Sequence, residues 1–295
     1  MTNDLRKGYR ERLLAQKTIW TGGCYDALSA KMIERAGFDA VMTSGFGVSA
    51  SLLGMPDAEL YTMTENAGVV RNVVNATSIP VIADMDTGYG NAINAMRSIR
   101  EFENTGVCAV IMEDQVAPKR CPICVSGVEV IPAEEAAKKI EAAVEARRDP
   151  NMVIIARTDA ATPEDAIRRA KMYVAAGADV IQPISACFKT FEQLQALREA
   201  AGVPLSLQIL GWLEKDLTPE QIESVAGMAT FALVPLMTAA QAMADNLAQL
   251  RRDLTSKNLP HARMDHLDFI EMIGFPEVEE LQLKYLETDA KTRAA

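Results

Sequence analysis

Two aspartates one residue apart, Asp84 and Asp86, follow the apolar run Val81-Ile82-Ala83 in PVIADMDTGYG and stand before a glycine-containing turn. A β-branched apolar run reads as a buried strand, so the pair lies at a strand mouth. Carboxylates placed there suit a hard cation. Mg²⁺, with Mn²⁺ as its substitute, takes oxygen ligands, keeps several waters and uses one or two protein carboxylates while the substrate completes its shell. The same residues admit a structural reading, in which both aspartates cap the helix that follows.

Polar residues recur where the other apolar runs end. Thr43, Ser44 and Gly45 close the second run, with Asp57 in the loop beyond; Glu113 and Asp114 close the fourth; Arg157, Thr158 and Asp159 close the fifth. Acidic groups gathered from neighbouring strands repel one another without a cation, which favours a metal site at this end over the capping reading for Asp84. Arg157 would stand among them, either as an ion-pair partner holding the carboxylates or as a planar fork for a substrate carboxylate. The turn at Ser44 and Gly45 offers backbone N–H groups as a cradle for an anionic oxygen.

The longest loop, EDQVAPKRCPICVSGVEVIP, follows the fourth run. Long loops of this kind act as lids. Lys119 and Arg120 precede Cys121, and neighbouring cations favour thiolate, which makes Cys121 an acid–base candidate. Cys121 and Cys124 also form a CxxC, readable as half a zinc site or a reversible disulfide; a structural zinc needs four ligands, and the only histidines are His261 and His266, far along the chain. Neither histidine follows an apolar run, and no nucleophile elbow, Walker loop or dinucleotide fingerprint is present.

These residues need elements to hold them. After an amphipathic N-terminal segment the chain alternates short apolar runs with amphipathic stretches: TIWTG, DAVMTS, PVIADMD, CAVIMED, MVIIART, ADVIQPI, PLSLQI and TFALVPL each precede a helical pattern. Gly37, Gly106, Gly177 and Gly202 stand where helices should stop before the next strand. Eight strand–helix units predict a (β/α)₈ TIM-type barrel over residues 1–255, with a doubly wound sheet as the lesser option. Strands without alternation fit burial on both faces. Residues 256–295 read as a linker and two helices, DHLDFIEMIG and PEVEELQLKYLETDAKTRA, whose apolar residues need a barrel surface or another subunit to cover them.

Composition narrows the classes further. The 295 residues are 49% hydrophobic and 24% charged, a globular balance. A net charge of −10 argues against a nucleic-acid or anionic-membrane partner, but not against a carboxylate held locally by a metal and an arginine. Five cysteines in a chain this long, without an apolar leader or a bilayer-length run, fit a cytoplasmic protein.

The motifs YDALSAKMIERAGFDAV, TSGFGVSASLLGMPD, DMDTGYGN, MEDQVAPKRC and IIARTDA, in this order and spacing, resemble the isocitrate lyase/phosphoenolpyruvate mutase superfamily over nearly the whole chain. The resemblance implies a barrel whose last helices are exchanged between subunits, in a dimer of dimers. It implies Mg²⁺ on Asp84, with Asp57, Asp86 and Glu113 acting mostly through water. Ser44, Gly45, Phe46, Arg157 and Gln208 would meet an α-keto or α-hydroxy carboxylate, and Lys119-Arg120-Cys121 would belong to a mobile gating loop. Lyase branches keep this cysteine as the acid that protonates the carbanion left by C–C cleavage. The chain therefore resembles lyases for 2-methylisocitrate or 2,3-dimethylmalate, which release a 2-keto acid. Phosphorus–carbon chemistry, hydrolysis or decarboxylation of an oxaloacetate-like acid, and a non-catalytic metabolite-binding barrel are the alternatives. The chain departs from the family pattern at Pro122-Ile123, Met42, Ile184 and Gln208, where the far end of a substrate would be recognised.

Overall fold

The computed structural model describes residues 2–121, 124, 127–184 and 187–286. Eight strands, β1 (Ile19–Cys24), β2 (Ala40–Thr43), β3 (Val81–Asp84), β4 (Ala109–Glu113), β5 (Val153–Thr158), β6 (Val180–Pro183), β7 (Leu205–Gln208) and β8 (Ala226–Phe231), close into a barrel in chain order. Every neighbouring pair is parallel, and β8 returns to β1 through Ile19↔Met228. The helices are α1 (Thr2–Leu14), α2 (Ala27–Arg35), α3 (Gly45–Val48), α4 (Met63–Ala76), α5 (Ala92–Thr105), α6 (Ala133–Ala146), α7 (Pro163–Ala175), α8 (Phe191–Ala201), α9 (Trp212–Asp216), α10 (Pro219–Val225), α11 (Val234–Asp253), α12 (His266–Met272) and α13 (Phe275–Tyr285). A π-helical turn, Ser49–Leu53, continues α3.

Alternation along each strand separates two cores. Val41, Ala83, Val110, Ile154, Ala156 and Ile181 pack outward against the helices, while Met42, Ile82, Ile111, Val153, Ile155 and Val180 fill the inside. The inner set includes Tyr9 and Leu13 of α1, and Arg6 of α1 donates to the carbonyls of Glu103 and Val107 at the end where β4 begins. Thus α1 closes the N-terminal end of the barrel, leaving the polar strand ends opposite.

Local chemistry sets the helix limits. Thr62 with Glu65, Thr190 with Gln193 and Thr218 with Gln221 form capping boxes, each worth about 1 kcal/mol. Gly37, Gly106, Gly177 and Gly202 all stand at positive φ where a helix stops, as expected. One strand limit differs from the reading TFALVPL: β8 starts at Ala226 and ends at Phe231. Gly227 lies within it because a Cβ there would come 2.9 Å from the Leu13 carbonyl and Pro204, so α1 approaches too closely for a side chain.

The chain divides into two compact units, 1–237 and 238–295. Within the second, Asn246 bonds to the backbone of His261, the His261 ring lies 2.9 Å from Asp245, and Asp265 caps α12. No described residue of α11, α12 or α13 is buried, and Leu247, Leu254, Leu267, Phe275 and Leu283 are exposed. Among the described residues, no helix is long and apolar enough to cross a membrane.

Candidate active site

The pocket at the C-terminal ends of the strands encloses about 630 Å³, its open mouth included. Ser44, Phe46, Asp57, Asp84, Cys121, Arg157 and Gln208 line it, so the first unit gathers seven of the expected residues. Asp86 and Glu113 are buried beside them, at 0% and 3% exposure.

The Asp84 carboxylate is held by backbone: Oδ2 accepts from Gly45 N–H at 3.2 Å and Oδ1 from Asp86 N–H at 3.0 Å. Asn91, not Asp84 or Asp86, caps the helix that follows, which removes the capping alternative. The expected cradle is engaged within the protein, since Ser44 N–H donates to Cys24 and Gly45 N–H to Asp84. A ligand carboxylate reaches Gly45 N–H only by displacing Asp84. A Cβ on Gly45 would lie 3.0 Å from both Asp84 and Asp86, so glycine lets these carboxylates approach the turn.

Two cations hold the acids. Lys119 Nζ lies 2.5 Å from Asp86 Oδ1 and 3.0 Å from Asp57 Oδ1, and Arg157 spans Glu113 at 2.7 Å and Asp159 at 2.8 Å. Burial works against the Lys119 ammonium, but Asp86, Glu113, Asp84 and Asp57 together hold its pKa well above the ordinary value. Burial pushes Asp86 up to about 6, with Asp84 adding to it and Lys119 opposing. Burial also drives Glu113 well above the usual carboxylate range, against Arg157 and Lys119.

The fit to a hard cation is partial in form. Asp57 Oδ1, Asp86 Oδ1 and both Glu113 oxygens are buried without a hydrogen bond of acceptable angle, and the donor set is all oxygen. Among the described residues, however, no three His, Cys, Asp or Glu side chains converge as a closed ligand set. Lys119 and Arg157 lie against these carboxylates instead. One direct carboxylate with others reached through water is the arrangement these residues can supply.

Other expectations divide on strand geometry. Glu113 and Arg157 face inward, whereas Asp114, the next residue, faces the helices: it accepts from Thr158 (2.8 Å), Asp159 N–H (2.9 Å), Tyr173 (2.6 Å) and Arg169 (3.2 Å). Asp114 is therefore an anchor behind the site, not part of it, because successive strand side chains point to opposite faces. Arg120 is exposed, and its N–H donates to Gln115. Cys121 is a buried thiol and Cys124 an exposed one, whose N–H donates to the Cys121 carbonyl at 3.0 Å. Pro122 and Ile123 lie outside the described residues, so the altered loop positions are not placed.

Met42, Ile184, Gln208, Leu210 and Leu233 also line the pocket. There Gln208 donates to Gln182 Oε1 at 3.1 Å, Ser206 donates to the same oxygen at 2.7 Å, and Gln208 Oε1 is left without a hydrogen bond. Sequence reasoning did not find Gln182, nor Asn66, which holds the Asp84 carbonyl and the Tyr89 hydroxyl, each at 2.8 Å. It also missed Lys139, whose ammonium donates to the Thr87 carbonyl at 2.5 Å. The signal for Lys139 was legible: it falls on the buried stripe Ala136, Lys139, Ile140, Ala143 of α6.

A model of the phosphoenolpyruvate phosphomutase family matches residues 10–251. The 2,3-dimethylmalate lyase of Eubacterium barkeri is 37% identical over 281 residues, covering 94% of this chain and 96% of that protein. The 2-methylisocitrate lyase of Shewanella oneidensis is 34% identical over 286 residues, covering 95% and 97%. The crystal structure of phosphonopyruvate hydrolase in complex with oxalate and Mg²⁺ matches with a TM-score of 0.86 at 30% identity, over 97% of this chain and 100% of that one. With the closed barrel and the acid-lined strand ends, these matches show that the chain belongs to the phosphoenolpyruvate phosphomutase family, within the superfamily that also holds the isocitrate lyases.

Proposed function

We propose that this chain is a Mg²⁺-dependent carbon–carbon lyase that cleaves a small 2-hydroxy di- or tricarboxylate and releases a 2-keto acid. The observation that supports this most is that one pocket brings together Asp84, Asp57, Arg157 and the Cys121 thiol. Asp84 would hold the cation directly, with Asp57, Asp86 and Glu113 acting through water. When bound, the metal supplies Lewis-acid polarisation and a template for the 2-hydroxy carboxylate. A related hydrolase binds Mg²⁺ with oxalate, and the two relatives above are named as lyases of carboxylic acids, which supports the assignment by likeness.

The protein's own groups carry the remaining steps. Glu113 and Asp159 fix the plane of Arg157, which presents its fork to the carboxylate of the 2-hydroxy acid. Ser44 and Phe46 orient the retained fragment. The 2-hydroxyl gives up its proton to solvent and its oxygen electron pair forms the C=O of the 2-keto acid, the electron pair of the C–C bond goes to the departing fragment, and Cys121 gives its S–H proton to that carbon. Exposed apolar residues on α11, α12 and α13 support a homo-oligomer, a dimer of dimers in our reading.

The test is 2-keto acid release from a panel of 2-hydroxy di- and tricarboxylates with Mg²⁺, comparing wild type with Cys121→Ser and with a chelator. Release that needs both metal and Cys121 is the expected result. Binding of oxalate with Mg²⁺ but no release across the panel would redirect the reading to phosphonates, and then to a binding protein without turnover.

A further inference from the structure

We propose that Glu59 is a positioning residue that fastens the segment after β4 onto the acid cluster and so sets Lys119 between Asp57 and Asp86. Glu59 lies at φ +54, a left-handed conformation that a side-chain-bearing residue adopts at a cost. Such strain persists where the surroundings over-determine it. Here the surroundings are specific. One carboxylate oxygen accepts from the Thr87 hydroxyl at 2.6 Å and the other from the Lys119 backbone N–H at 3.0 Å. Thr87 is itself fully buried, and its carbonyl receives the Lys139 ammonium at 2.5 Å. Three loops, those after β2, β3 and β4, therefore meet on one carboxylate.

The consequence follows from the two ends of Lys119. Its backbone is tied to Glu59, and its ammonium reaches the carboxylates of Asp57 and Asp86. Without Glu59 the backbone end loses a charge-assisted hydrogen bond, and the ammonium end alone must hold the segment. The geometry needs two hydrogen-bonding atoms at this position, and charge strengthens them. A glutamine at this position keeps its carbonyl for Lys119 N–H and turns its amide toward the Thr87 oxygen, which accepts as well as donates.

The experiment is limited trypsinolysis of the purified full chain, reading cleavage after Lys119 and Arg120 beside the urea unfolding midpoint. Arg120 is exposed and reports on the backbone; Lys119 is buried and reports release of the ammonium. We expect Glu59→Gly and Glu59→Ala to raise cleavage at both bonds roughly tenfold or more, the factor one charge-assisted hydrogen bond contributes to an opening equilibrium. Glu59→Gly, which removes the backbone strain, should unfold at a urea concentration at least as high as Glu59→Ala, so lability and global stability part company. Glu59→Gln, which keeps both hydrogen bonds without the charge, should cleave several-fold more slowly than Glu59→Ala. Unchanged cleavage in the glycine and alanine variants would overturn the proposal. So would cleavage that rises only in step with lost global stability, or a glutamine variant as labile as alanine. The readout uses no substrate, so it stands apart from the lyase assay.

Discussion

Replacing Lys119 with Met keeps the length and apolar stem of the side chain and removes only its charge. In the structure that charge lies 2.5 Å from Asp86 and 3.0 Å from Asp57, with the lysine 2% and Asp86 0% exposed. At an effective dielectric of about 20 the two attractions amount to roughly 12 kcal/mol before desolvation. Desolvation of an ammonium returns several kcal/mol, and breaking a buried pair by removing one partner costs about 3–5 kcal/mol. The lower figure applies here because Asp86 has an escape. Burial already holds its pKa at about 6, and loss of Lys119 raises it further, so it takes up a proton instead of standing charged. We therefore expect a loss of about 3 kcal/mol at pH 7.5, in chelator and low salt. At about 2 cal/mol/K per residue, 295 residues give a Tm shift of about 5 °C.

Two controls give this prediction its sign. The wild-type pair depends on ionised Asp86, a contribution lost as pH falls through about 6, so the gap between the proteins should narrow at pH 5.5. Added Mg²⁺ should raise the Tm of Lys119→Met more than that of wild type, because the cation supplies the charge the variant lacks and meets no ammonium in its way. A variant melting within about 1 °C of wild type in chelator would refute the reasoning. So would a gap that stays constant between the two pH values.

Further expectations are smaller in scope. Gly45→Ala puts a Cβ 2.9 Å from the Tyr61 hydroxyl and 3.0 Å from Asp84 and Asp86, so it should cost about 1–3 kcal/mol in urea unfolding and weaken oxalate binding with Mg²⁺ tenfold or more by calorimetry. Asp114→Asn leaves Arg169 without a buried carboxylate and, with its oxygen kept toward Thr158, Tyr173 and Arg169, turns its amide donor against the Asp159 N–H; a loss of about 3–5 kcal/mol, read in the same unfolding assay, is expected. Burial acts to raise the Asp149 pKa, but the Asn151 N–H and Arg6 outweigh it and hold the carboxyl below its ordinary value. A lowered pKa stabilises the fold above the unfolded value of about 3.9 and is lost as pH falls through the folded one. Asp149→Asn should therefore cost about 1 kcal/mol at pH 6, and the difference should begin to shrink as pH falls below about 4.

Much of this molecule is a consequence of local pattern. Short apolar runs alternating with amphipathic stretches, and glycines such as Gly106 and Gly177 at helix ends, depend only on neighbours in the chain, so eight strand–helix units and their order were legible in sequence. The acids at strand mouths were legible for the same reason, and Asp84, Asp57 and Arg157 do line the pocket. What sequence left open was direction and partnership. Glu113 and Asp114 are adjacent carboxylates, and only the strand register turns one toward the pocket and the other toward Arg169 and Tyr173. Lys119, read as a neighbour of Cys121, turns instead to Asp57 and Asp86, while Glu59, 60 residues away, holds its backbone. Such pairings form because a closed barrel brings successive loops together at one end, where buried charges must find opposite charges or hydrogen bonds. Chain order lists the charges; the closure of the barrel chooses which of them meet.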